Sequence, residues 1–119
     1  MTNNVVIALS CGTDNPNRTT RALQMAAMSH KIGKNVTVFL LDEGVYIAKK
    51  GMADNLRSAT GDSADDHLTY LKEFEVSILV CTPCAVSRKI AKEDLIENAS
   101  LSTADVFINL CCDGAVISF

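Results

Sequence analysis

Tryptophan is absent, proline and histidine occur twice each, and aromatic residues make up 5% of the 119 residues. So little proline and no glycine-rich tract exclude fibrous and low-complexity architectures. Neither a second Cys-x-x-Cys nor a His-x-x-x-His pattern is present, so the single Cys-x-x-Cys falls two ligands short of a structural zinc site and no metal is expected. A basic excess is also missing: 11 Lys and Arg stand against 14 Asp and Glu, for a net charge of −3. Such a balance argues against a nucleic-acid surface. No apolar run approaches the roughly 20 residues that span a bilayer, so no membrane association is expected. The opening Met1-Thr2-Asn3-Asn4 carries no positive charge and leads into a short apolar run, unlike a signal peptide, which predicts a cytoplasmic protein. With no repeat or linker, the sequence predicts a single domain over residues 1–119.

Three short apolar runs are present: Val5–Leu9, Val36–Leu41 and Val76–Cys81. They are rich in β-branched residues and apolar on both alternating faces, as strands of a covered parallel sheet are. Helical segments separate them. Arg18–Ile32 places Ala22, Met25, Ala26, Ser29 and Ile32 at helical spacing, with Asn15 as cap, Pro16 in the first turn and Gly33 as the stop. Ser63–Glu73 places Ala64, His67, Leu68 and Leu71 along one side. Asp42-Glu43-Gly44 reads as a turn rather than an acid–base pair, Val45–Lys50 as a short helical stretch, and 52–62 as a loop. Near the end, the spacing of Ala104, Phe107, Leu110 and Cys111 predicts a helix over about 102–112, followed by a turn at Asp113-Gly114 and a last strand over Ala115–Phe119. The alternation predicts a single-domain α/β fold with an open, mostly parallel sheet of about five strands and helices on both faces. Sites in such sheets lie beyond the carboxyl ends of the strands, which selects the loops 10–17, 42–44 and 82–86.

The loop at 10–17 follows a strand and precedes a helix, but with Gly12 as its single glycine it fails both the dinucleotide and the Walker patterns. It reads as a polar turn, and no cofactor is expected. His30 reads as a favourable cation at a helix end or a surface residue, and His67 as packing or surface. Of the five cysteines, Cys111 and Cys112 are adjacent, unsuited to sharing one ion, and are expected in or near the core.

The remaining pair carries the chemistry. Cys81-Thr82-Pro83-Cys84 runs from the end of a strand into a helix that Thr82 would cap and Pro83 would open. Cys84 then falls in the first helical turn, where unpaired amides stabilise a thiolate, and Arg88, four residues on, shares its helical face. The thiolate is the reactive form. The plain alternative is that Cys81 or both cysteines fill the core, where free cysteine is common.

The chain resembles the DsrE/DsrF-like family of small sulfur-relay proteins, and within it the YchN-like branch. The likeness rests on the opening strand and polar loop, Leu41-Asp42-Glu43-Gly44-Val45, the Cys-x-x-Cys-x-x-x-Arg run from Cys81 to Arg88, and the ending Ala115-Val116-Ile117-Ser118-Phe119. The resemblance implies a trimer, or a hexamer of two trimers, and a cysteine after the third strand that carries sulfur as a persulfide, exchanged with donor and acceptor proteins. In the YchN-like branch that position matches Cys84; in the DsrE and TusD branch it matches Cys81. Lys89 departs from the pattern, standing where relatives usually have glycine. Three functions stay open at this point: a sulfur-relay or sulfurtransferase-type protein using Cys84, Cys81 and Arg88; a dithiol redox protein using the same Cys-x-x-Cys; and a non-catalytic oligomeric binding module.

Overall fold

The computed structural model describes residues 2–119. Its elements, in chain order, are β1 (Asn4–Leu9), α1 (Pro16–Lys31), β2 (Asn35–Leu40), a 3-10 segment (Asp42–Ala48), α2 (Ala64–Glu73), β3 (Ser77–Cys81), α3 (Thr82–Ser87), a short 3-10 turn (Lys92–Asp94), β4 (Ala99–Ser102), α4 (Ala104–Asp113) and β5 (Ala115–Ser118). The five strands form one sheet in the order β4-β3-β2-β1-β5. Every pairing is parallel.

Local chemistry accounts for the boundaries. The Asn15 side chain accepts a hydrogen bond from the Arg18 amide at the start of α1, and Pro16 opens that helix. Gly33, at φ +90°, follows its end in the left-handed conformation that costs glycine nothing. The Ser63 hydroxyl caps α2 by accepting from the Asp66 amide. Two of the expected elements differ in detail. The 42–44 stretch is no isolated turn but the first part of the 3-10 segment, which runs through to Ala48. The strand β4 was not anticipated: Ala-Ser-Leu-Ser lacks a β-branched residue, and as an edge strand it buries too little to show in the pattern.

The two faces of the sheet are closed unequally. Ile7 and Leu9 of β1, Val36, Val38 and Leu40 of β2, and Ile78 and Val80 of β3 join Ala22, Leu23 and Ala26 of α1 and Leu68 and Leu71 of α2 in one buried cluster. The buried side of α1 is Thr19, Thr20, Ala22, Leu23, Ala26 and Ala27. That stripe is rotated from the expected one, leaving Ile32 65% exposed. Thr19 is buried because its hydroxyl donates to the Gly12 carbonyl. Residues of opposite parity, Val6, Ala8 and Phe39, are buried on the other face, where Phe107 of α4 packs on Phe39 in a tilted pair with centroids 4.6 Å apart. No residue of α4 is fully buried. Cys111 is half-buried and Cys112 exposed, which corrects the expectation of core cysteines: α4 touches the sheet along one narrow line, and Cys112 lies off it.

His30 ends α1 inside an aromatic group rather than on open surface. Its Nδ1 lies 2.8 Å from the Tyr70 hydroxyl of α2, and its ring packs on Phe74. His67 holds Asp62 through Nε2 at 2.8 Å. That contact keeps the Asp62 carboxyl below the usual carboxylate range.

Candidate functional site

The carboxyl ends of β1, β2 and β3 meet at one edge of the sheet, and two glycines let them. A Cβ on Gly12 would strike the Glu43 carbonyl oxygen, and one on Gly44 would strike the carbonyl oxygen of Leu9. The loop after β1 and the 3-10 segment after β2 therefore interlock backbone to backbone. Asp42, which begins that segment, sits at φ +48°. This left-handed conformation is uncommon for any residue with a side chain, and it is the kind of local strain that surrounding structure must hold in place.

Cys81 ends β3 and is itself the N-cap of α3, so Thr82 and Pro83 are the first two helical residues and Cys84 the third. This corrects the expected cap. Instead of capping, the Thr82 hydroxyl donates to the Ser102 carbonyl at 2.7 Å and ties the start of α3 to the edge strand β4. The strand ends at Cys81 as expected, and the helix starts directly from it, one residue earlier than the expected cap allows. Both thiols are half-buried. They face one another, with the Cys84 Sγ donating to the Cys81 Sγ at 2.6 Å.

Two residues read from sequence as a turn complete the site. The Asp42 Oδ1 lies 4.0 Å from the Cys84 Sγ. Arg88 donates from Nη2 to the Glu43 Oε1 at 2.6 Å and from Nη1 to the Cys84 backbone carbonyl at 3.1 Å. Arg88 is thus brought to Cys84 as expected, but to its backbone rather than its sulfur. It braces the end of α3 against the 3-10 segment. The Glu43 hydrogen bond strengthens its hold on its proton, so the guanidinium stays charged.

Burial pushes the Cys81 thiol above the ordinary thiol range. The adjoining Cys84 sulfur adds to this, and so does the negative charge of Asp42; the Cys84 amide, pointing at the Cys81 sulfur, pulls the other way. Cys81 is therefore held protonated near neutral pH. Two carboxylates surround the pair against one guanidinium, so the site has no cationic field of the kind the helix start alone suggests. Lys89, where the chain departs from the usual glycine, adopts φ +60°. The loop keeps the left-handed turn that glycine favours, with a lysine in it.

The described residues contain no group of three or more His, Cys, Asp or Glu side chains placed to hold a metal ion. None of their helices is long and apolar enough to cross a membrane. Cys11 is buried. Asp42 and Glu43 are the site residues that sequence spacing misses, since both contacts join positions more than 40 residues apart. The signal for them was the convergence of loops at one sheet edge.

A parallel α/β sheet with a thiol pair at the end of its third strand defines a small cysteine-site domain, and comparison with known proteins gives the family. The model of the DsrE/DsrF-like family matches residues 3–119, and the chain belongs to that family. Among curated relatives, it is 36% identical over 85 residues to an uncharacterized protein of Methanocaldococcus jannaschii, MJ0989, covering 69% of this chain and 68% of the relative. It is 27% identical over 108 residues to an uncharacterized protein of Methanopyrus kandleri, MK0008, covering 88% of this chain and 84% of that one. The crystal structure of the Escherichia coli YchN protein superposes with a TM-score of 0.80 at 18% identity over the whole of both chains. MTH1491 of Methanobacterium thermoautotrophicum, a protein of unknown function, superposes with a TM-score of 0.67 at 13% identity over 98% of each chain. These superpositions establish the shared α/β fold.

Proposed function

We propose that the chain is a cytoplasmic sulfur-relay protein of sulfurtransferase type, in which Cys84 accepts a sulfane sulfur as a persulfide. The observation that carries this reading is the thiol pair at the strand end: the Cys84 Sγ touches the Cys81 Sγ, and the Asp42 carboxylate, 4.0 Å from the Cys84 Sγ, stands where it can take the Cys84 proton. In loading, the Cys84 sulfur attacks the outer sulfur of a donor persulfide. The donor's S–S bond breaks, its thiolate leaves and takes up the proton held at Asp42, and Cys84 keeps the transferred atom. Arg88 and Glu43 hold the backbone of Cys84 in place during this exchange.

Family membership supports sulfur handling as the class of activity. Donor and acceptor proteins remain part of the proposal, as does self-association into a trimer or hexamer. Apolar side chains left uncovered on α4 and β5 support the latter: Ile108 is 57% exposed, and the consecutive Val116 and Ile117 are 43% and 42% exposed. Neighbouring strand residues point to opposite faces, so β5 is uncovered on both sides, and a second copy of the chain is the proposed cover.

Mass mapping of the loop peptide after incubation with a low-molecular-weight persulfide tests the function. A Cys81→Ser variant gains one sulfur on Cys84, and a Cys84→Ser variant gains none. No gain in either variant contradicts the reading.

A further inference from the structure

A stable carrier needs its loaded sulfur kept away from other thiols, and here the nearest thiol is in contact. The Cys81 Sγ lies 2.6 Å from the Cys84 Sγ, the atom that would become the inner sulfur of the persulfide. The Asp42 carboxylate stands on the same sulfur at 4.0 Å. Cys111 and Cys112 belong to α4 and form no hydrogen bond with this loop, so the discharge partner is within the motif itself.

We propose that Cys81 discharges the Cys84 persulfide, releasing its outer sulfur as sulfide and leaving a Cys81–Cys84 disulfide, so that with a dithiol reductant the chain acts as a persulfide reductase. This rests on Cys84 being the sulfur acceptor. In the step, the Cys81 sulfur attacks the Cys84 Sγ, the inner sulfur of the persulfide, and the Cys81 proton passes to the departing outer sulfur. The Cys81–Cys84 bond forms, the bond between the Cys84 Sγ and the outer sulfur breaks, and the outer sulfur leaves as hydrogen sulfide with the proton that Cys81 gave up. The outer sulfur is reduced from the sulfane to the sulfide level by two electrons, one from each cysteine sulfur. A dithiol, protein-borne or small, then reduces the disulfide by thiol–disulfide exchange and resets both thiols. The net change is a persulfide plus a dithiol giving a thiol, hydrogen sulfide and a disulfide.

The order of events follows from the same geometry. Before loading, the Cys81 sulfur accepts a hydrogen bond from the Cys84 thiol, and Cys84 carries no sulfur–sulfur bond for Cys81 to attack. Loading replaces that proton with sulfur and creates the bond that Cys81 can break. Cys81 is silent until its neighbour carries cargo.

The test uses the full chain, reduced and freed of reductant, mixed with a small persulfide, with sulfide measured in solution and the loop mapped by mass. The wild-type chain is expected to release about one sulfide per chain and to hold a Cys81–Cys84 disulfide, with continuous release once a dithiol is added. Cys81→Ser is expected to keep the sulfur on Cys84 and to release sulfide at least ~10-fold more slowly, since thiol attack is the only route removed. Cys81→Ala, which has no hydroxyl in place of the thiol, gives the same result and guards against a local effect of serine. If wild type and both Cys81 variants hold the persulfide equally long, discharge by Cys81 is overturned while the acceptor role of Cys84 stands. A disulfide from Cys84 to Cys111 or Cys112 overturns it too. If the Cys81 variants take up no sulfur at all, the acceptor reading itself fails.

Discussion

The sheet has one face that the chain finishes by itself and one that it does not. Against α1 and α2, the strands contribute Ile7, Leu9, Val38, Leu40, Ile78 and Val80, each essentially sealed from water. Against α4, burial is confined to Val6, Ala8 and Phe39 of the sheet, while the helix itself stays open and Val106, Ile108, Val116 and Ile117 face solvent. Apolar area removed from water contributes about 25 cal/mol per Å², so the first face supplies most of the chain's own stability. The second leaves apolar side chains uncovered. The thiol site lies at the strand ends, fixed by the first face through the Gly12 and Gly44 contacts and joined to the open side through Thr82 and Ser102.

Truncation on the closed face should have the largest effect. Leu71→Ala, at a fully buried position of α2, is expected to destabilise the chain by about 2–5 kcal/mol in denaturant unfolding, as large-to-small core changes do. Gly44→Ala comes next, at about 1–3 kcal/mol, because its methyl group meets the Leu9 backbone, which belongs to a central strand and cannot move aside cheaply. The same variant displaces Asp42 and Glu43, so sulfur uptake should fall with it even below the unfolding transition.

On the open face the readout changes from stability to assembly. Ile108→Glu should leave single-chain unfolding within about 0.5 kcal/mol, the range of ordinary surface changes, while sedimentation shows a shift to smaller species. If the mass is unchanged, α4 is not the contact. Lys89→Gly is the smallest: relieving a lysine at φ +60°, against the added chain entropy of glycine, should stabilise by about 0.5 kcal/mol, read as a small rise in denaturation midpoint. A loss of stability instead would mean that the Lys89 side chain makes contacts that outweigh its backbone strain.

Much of the closed face was legible in the sequence because local signals and burial agree there. Val5–Leu9 and Val36–Leu41 are β-branched runs, and Asn15, Pro16, Gly33 and Ser63 all do what their side chains favour at helix ends. The open side was harder to read. Ala99–Ser102 has no strand-like composition, and Cys111 and Cys112 satisfy helical spacing without being covered by this chain, so patterning predicted a burial that one chain does not provide.

The site divides in the same way. Cys81, Cys84 and Arg88 stand together in sequence, and their spacing suffices to bring them together at the strand end. Asp42 and Glu43 reach them only through the parallel pairing of β2 with β3, a contact with no local periodicity. Without those two carboxylates, the helix start and Arg88 alone describe a cationic thiolate site. The structure instead has thiols set against acid groups, with the one guanidinium engaged by Glu43.

The central claim, that chemistry begins on Cys84 while Cys81 waits, is tested most directly by residue-resolved alkylation followed from about pH 6 to about pH 9, across which thiols of ordinary reactivity ionise. The account predicts that Cys84 is modified first at every pH. Cys81 should lag until alkaline conditions, since its folded form favours the proton and gives it up only above the ordinary thiol range. Modification of Cys81 ahead of Cys84, or resistance of both thiols throughout, would contradict it.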